Sequence, residues 1–348
     1  MKSKVLGTAS TVLFLAACGG GSSKPPAQPP PPAAPAAVAS AAPASPNGPD
    51  MSGGAAGGST NMDIVHGTKS LETGMYGDAK TSFEAALKSP HDAPDAHYYL
   101  GVVAEKQSDK ATAENQYKQA LKLRPDFLEA EGNLAALYVD EQKYDDALAI
   151  TKAALATHPQ EAGMHLNQAV ALAGKGDGAG SDAEFQQALT LHQGDPMYLL
   201  TYAHWLGQWK KTDQAAEKLR AARPLAKDDV AMLASIGHEM RLVKAFSDCV
   251  PTLDRAIGLK DVAELRTDRG LCKMGAKDRP GGIADLEAAA KEDNSYAPAH
   301  FHLGIAYEKD GKIKEAIAQD ETFLKLDPNA PVAAKVKEHL AKLKTQKK

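Results

Sequence analysis

From about residue 60 onward, apolar positions recur with the 3.6-residue spacing of helices. They come in stretches of about 12–14 residues, separated by short polar turns such as "KQSDK" and "DEQKY". The stretches form matched pairs. "YYLGVVAEKQSDKATAENQYKQALKLRP" (98–125) lies over "GNLAALYVDEQKYDDALAITKAALATHP" (132–159) and over "FHLGIAYEKDGKIKEAIAQDETFLKLDP" (301–328). A small residue holds one slot throughout: Gly67, Gly101, Ala135, Ala169, Ala203, Gly237, Gly270 and Gly304, in steps of 34 with a single step of 33. A second small slot recurs at Ala86, Ala120, Ala154, Ala188, Ala222, Ala256 and Ala289. Small residues in facing slots let two helices approach closely. Replacing Ala120 or Ala154 by Leu would overpack that contact, by about 1–3 kcal/mol. Prolines at 125, 159 and 328 end the second helix of their pairs.

One such pair cannot bury its apolar face alone, but stacked pairs can, so the period predicts a solenoid. The pattern resembles the tetratricopeptide repeat (TPR) family, carried best by Leu100, Gly101, Ala113, Tyr117, Ala120 and Pro125. The resemblance covers residues 60–330 as about eight repeats. It implies an all-α, right-handed superhelix whose first helices line a concave, protein-binding side. After Pro328, residues 331–348 read as one further amphipathic helix, with Val332, Val336, Leu340 and Leu343 on a stripe, capping the last repeat. Two copies depart from the others. "AGKGDGAGSDAEF" (173–185) places four glycines around its turn, read as a decayed repeat or as a hinge, and "KDRPGGIADL" (277–286) reads as a longer turn.

The N-terminal part has a different pattern. Lys2 and Lys4 precede an apolar stretch, residues 5–17, too short to span a bilayer comfortably. Leu15-Ala16-Ala17-Cys18 then resembles the lipobox of bacterial lipoproteins. That resemblance implies a signal peptide over 1–17, acylation of Cys18, and a membrane anchor that becomes stable with two or more chains. The competing reading is an ordinary signal peptide with an incidental cysteine. Gly19 in place of an Asp leans towards the outer membrane, with the body facing the periplasm. Residues 18–59 add a Pro-, Ala- and Gly-rich tether that cannot build a core and could reach on the order of 100 Å.

Composition narrows the function. Aromatics are 5% of residues and the net charge is −4, which gives no case for nucleic acid. The repeats leave no stretch for a catalytic domain, and no GK[ST] loop, HExxH or G-x-S-x-G appears. The sequence therefore supports no catalytic, cofactor or metal site and no small-molecule substrate. The eleven histidines read as scattered surface or groove residues, with His300 and His302 pointing to different faces. Cys249 and Cys272 fall at similar height on antiparallel helices, open to a disulfide or to two separate buried thiols, the latter favoured. Positions three before, one after and four after each small slot share a helix face. They name a candidate peptide groove of Tyr98, Val102, Leu166, Val170, Leu200, His204, His238, Arg241, Phe301 and Ile305, apolar with a few polar points. The TPR subclass that clamps a C-terminal carboxylate uses Lys and Asn in such slots. Tyr98, Val102, Gly132 and Ala136 stand there instead. The sequence thus points to a lipid-anchored envelope scaffold that holds an extended or helical segment of another protein. The alternative is a pilotin-like assembly factor for an outer-membrane secretin or related machine.

Overall fold

A computed structural model describes residues 61–346. Among them lie seventeen helices: α1 Met62–Glu72, α2 Tyr76–Ala86, α3 Ala93–Lys106, α4 Lys110–Leu123, α5 Leu128–Asp140, α6 Tyr144–Thr157, α7 Ala162–Gly174, α8 Gly178–Leu191, α9 Pro196–Gln208, α10 Thr212–Leu225, α11 Val230–Leu242, α12 Phe246–Leu259, α13 Ala263–Gly275, α14 Arg279–Glu292, α15 Ala297–Lys309, α16 Ile313–Leu326 and α17 Ala333–Gln346. They form eight packed pairs, α1–α2 to α15–α16, followed by α17 against α16. The arrangement is an all-α solenoid of helix pairs.

The pairing follows from the small slot. A Cβ on Gly67 would sit 2.4 Å from the Phe83 ring, one on Gly101 2.5 Å from Tyr117, and one on Gly237 2.6 Å from Leu253. Each partner stands sixteen residues later, on the second helix of the same pair. Those side chains are fully buried, and the missing Cβ is what admits them.

Every turn within a pair is three residues long, and its middle residue has positive φ: Gly74, Ser108, Gln142, Gly176, Lys210, Lys244, Lys277 and Gly311. The third residue then donates its N–H to the carbonyl five back, as in Asp109 to Ala104 at 2.9 Å and Lys143 to Tyr138 at 2.8 Å. This left-handed closure satisfies carbonyls that the helix end leaves open. Both departures expected from sequence are corrected by it. The fourth turn is not decayed: it keeps the length and closure of the others. Gly174 faces the Tyr144 ring, Gly176 supplies the left-handed residue at φ +84°, and Gly180 lies against its capping residue Asp177, whose carboxylate accepts from the Gly180 N–H at 2.9 Å. The seventh turn has the ordinary length, with Asp278 capping the Gly281 N–H at 3.0 Å.

The core runs continuously from Ala104 to Cys272 across the middle repeats, with smaller clusters towards each end. At the C-terminus, Ala333, Val336, Leu340 and Leu343 are buried, whereas Val332 lies before the helix and is half-exposed. His339 secures α17 by bridging Glu308 at 3.0 Å and Asp320 at 3.6 Å.

Candidate functional site

Successive first helices touch one another along the array, notably α5–α7, α9–α11, α11–α13 and α13–α15. They make up the side on which the candidate groove residues lie, and that side is not uniform. At its N-terminal end Tyr98 is half-buried among aromatic rings, 5.2 Å from Phe127 and 6.0 Å from Tyr117, with Val102 half-buried beside it. Glu105, one turn on, accepts from the buried Tyr117 hydroxyl, which in turn accepts from Asn133 at 3.2 Å. Burial pushes the Glu105 carboxyl up to about 7.

In the middle the groove expectation fails for four residues. Leu166, Val170, Leu200 and His204 are 4%, 0%, 0% and 6% exposed. Neighbouring first helices pack on the very face these residues occupy, and large neighbours such as Tyr198 and Trp205 fill the remaining space. Leu166 and Val170 are core residues. Leu200, also fully buried, lies beneath a pocket. His204 is a cross-repeat tie, its Nδ1 2.9 Å from Glu239 Oε1. Asn167 makes a similar tie, donating to the Gly132 carbonyl at 3.0 Å.

Towards the C-terminal end the face opens again. His238 is exposed and Arg241, Phe301 and Ile305 are half-buried. Both His238 and Arg241 reach Asp268 on the next first helix, at 3.1 and 3.0 Å. Burial alone would raise the Asp268 carboxyl. The two contacts outweigh it and hold the group below the usual carboxylate range. Nearby His302 is pushed down to about 4, by burial first and by Arg241 second.

Between α9, α11 and α13 this face holds a pocket of about 160 Å³, lined by Leu200, Ala234, Ser235, His238, Glu239, Glu264, Leu265 and Asp268. Sequence spacing named Leu200 and His238 but missed the rest. Asp268 and Glu264 stand two and six residues before the small slot, not at the three spacings used. The next first helix meets its neighbour through Glu264, Leu265 and Asp268, a different set of positions. The acidic pattern opposite the His238/Arg241 pair was the available signal.

The histidines are less scattered than they look in sequence. His97, His165 and His300 each stand four before the small slot, and each contacts a residue on the second helix of its pair: Gln116 at 2.7 Å, Glu184 at 2.6 Å and Gln319 at 2.7 Å. His165 and His300 also contact the carbonyls of Pro159 and Asn294 in the preceding loop, at 3.0 and 3.1 Å. They are ties within the repeat, not groove residues. Among the described residues no group of three His, Cys, Asp or Glu side chains is placed to hold a metal ion.

Cys249 on α12 and Cys272 on α13 form a disulfide, with Cα atoms 6.1 Å apart. The reading as two separate thiols is corrected accordingly: the antiparallel contact of α12 and α13 brings the two Cβ atoms within bonding reach. Cys18 lies outside the described residues.

Comparison with known proteins agrees with this architecture. Tetratricopeptide repeat models match residues 66–127 and 267–331, and a second such model matches residues 103–171. No curated protein sequence matches the chain. Among solved structures, a chain of the APC/C hetero-tetramer Cut9-Hcn1 superposes with a TM-score of 0.51 at 15% identity, covering 81% of this chain and 56% of that one. The chain thus spans little more than half of that neighbour's length, and the likeness is one of fold. YrrB, a TPR protein with an unusual peptide-binding site, covers 54% of this chain and 97% of its own at 16% identity and a TM-score of 0.40. A tetratricopeptide repeat protein from Parabacteroides merdae covers 76% of this chain and 98% of its own, at 16% identity and a TM-score of 0.48. By its 34-residue period, its matching segments and its eight helix pairs, this chain is a tetratricopeptide-repeat solenoid.

Proposed function

We propose that this chain is a scaffold of a cell envelope that holds other proteins on the first-helix face of its repeats and is anchored to a membrane by lipid on Cys18. The observation that carries the binding role is the open part of that face. Packing between repeats buries Leu166, Val170, Leu200 and His204 in the middle of the face, while the pocket at α9, α11 and α13, with half-buried Phe301 and Ile305 beyond it, is left accessible. That mixture of apolar surface and a few fixed polar points suits an extended or helical segment. A peptide-binding site is also named for the TPR protein YrrB. Export is supported from a second direction. The Cys249–Cys272 bond belongs to an oxidising compartment, and it is independent of the lipobox-like Leu15–Cys18.

Photo-reactive residues at Tyr98, His238 and Phe301, followed by mass spectrometry of the membrane fraction, test the binding role. Adducts with several envelope proteins at His238 and Phe301 support a scaffold. One dominant outer-membrane partner, with loss of a secretin from that membrane on deletion, supports the pilotin-like role. Absence of adducts at all three positions refutes binding on this face. Cys18→Ala should move the chain from the membrane to the soluble fraction; unchanged fractionation refutes the lipid anchor.

A further inference from the structure

We propose that the pocket between α9, α11 and α13 receives a lysine or arginine side chain of the partner segment, an inference that rests on partner binding at the first-helix face. The pocket has an apolar floor of Leu200, Ala234 and Leu265 under a polar rim. Three carboxylates line it, Glu239, Glu264 and Asp268, and no lysine or arginine does. The nearest guanidinium, Arg241, is already engaged with Asp268. Glu239 meets His204 through one oxygen. Glu264 is exposed, and among the described residues no cation pairs with it. Asp268 also meets His238 of the same lining, so Glu239 and Asp268 each have a basic partner and Glu264 is the carboxylate of the lining that has none among the described residues.

An aliphatic stem ending in a cation matches this layout, since Lys and Arg lay their methylenes on apolar surface while the charged head stays at a wet, polar edge. The volume of about 160 Å³ suits one long side chain. An acidic side chain would meet like charge. A purely apolar one would cover Glu264 without a partner and incur its desolvation. The pocket's far wall, α13, is held in place from behind by the Cys249–Cys272 bond to α12 and from the front by the Arg241–Asp268 pair. The site is therefore preformed.

The test is a phage-displayed library of short random peptides selected on the full-length chain. Winners are resynthesised with their basic residue replaced by norleucine, which keeps the stem and removes the charge. The expected result is enrichment of Lys or Arg next to apolar residues, and about fivefold weaker binding of the norleucine peptide. Glu264→Gln should weaken the basic peptide by about the same factor and leave the norleucine peptide unchanged, because the two changes remove one interaction. Glu264 is exposed, so an unchanged thermal melt of the variant certifies its fold. Selected peptides that protect α9, α11 and α13 from hydrogen exchange but lack basic residues, or bind the variant equally well, overturn the pocket's charge preference and leave partner binding on this face standing. Peptides that protect only second helices, or a library without binders, overturn both.

Discussion

Gly101→Ala should destabilise this protein, although alanine is the better helix former. Gly101 sits in the middle of α3, where the change to Ala is ordinarily worth up to about 1 kcal/mol in favour of the helix. Here the new Cβ would lie 2.5 Å from Tyr117 Cε1 and 2.7 Å from Cδ1, well inside contact distance. The ring cannot simply yield. It is 0% exposed, and its hydroxyl donates to Glu105 and accepts from Asn133 at 3.2 Å. Overpacking of this kind costs about 1–3 kcal/mol, and disturbing the hydroxyl's bonds adds about 1 kcal/mol. The clash wins, for a net loss of about 1–3 kcal/mol. Gly132→Ala supplies the opposite sign. It lies in the equivalent type of helix, α5, and its added Cβ would meet nothing closer than Met164 Cε at 3.6 Å. It should stabilise by about 0.5–1 kcal/mol. Urea unfolding followed by far-UV circular dichroism measures both. Hydrogen exchange places any loss in α3 and α4, as befits an array that need not unfold in one step. Adding Tyr117→Leu to Gly101→Ala should recover part of the deficit. A Gly101→Ala protein at or above wild-type stability refutes the reasoning that the small slot exists for the ring opposite it.

Three further outcomes follow from other parts of the molecule. Replacing both Cys249 and Cys272 by Ala opens a loop of sequence separation 23, and should lower the stability of the sixth and seventh repeats by about 3 kcal/mol, read as faster exchange in α12 and α13 only. Gln142 holds φ +59° in a turn where three other repeats use Gly, so Gln142→Gly should raise the urea midpoint by the equivalent of about 0.5–1 kcal/mol, while Gly311→Ala should lower it. Glu105 has its folded pKa raised to about 7 by burial, so its contribution is complete below the unfolded value near 4.5 and is lost as pH rises through 7. Glu105→Gln should therefore flatten the fall in thermal stability between pH 5 and pH 8, and a melt series with an undiminished slope would contradict that assignment.

The repeat itself was legible because its determinants are local. The small slot and the second small slot nineteen residues later lie within one period. The backbone geometry of a helix pair fixes their meeting whatever the neighbours do. The seven-residue offset from slot to left-handed turn residue was equally regular, yet five of its eight positions are not glycine, so composition concealed it. The four glycines of the fourth repeat misled for the complementary reason: glycine signals flexibility in a list of propensities, whereas here three of the four sit against a ring, a capping carboxylate or a positive φ.

The sequence by itself determined the number of helix pairs, the small slots at which each pair closes, the terminal cap and the two cysteines of matching height. Only the tertiary structure decided which part of the first-helix face is open. Leu166, Val170, Leu200 and His204 share the spacing of His238 and Phe301, yet the first four are buried and the last two are accessible. Nothing within one repeat distinguishes them. What does is the bulk of the residues across that junction, with Tyr198 and Trp205 buried in the middle while Ala234 and Ser235 line an open pocket further on. The outcome is set by packing between units whose contacting positions lie about one period apart, and no periodicity within a single repeat encodes it.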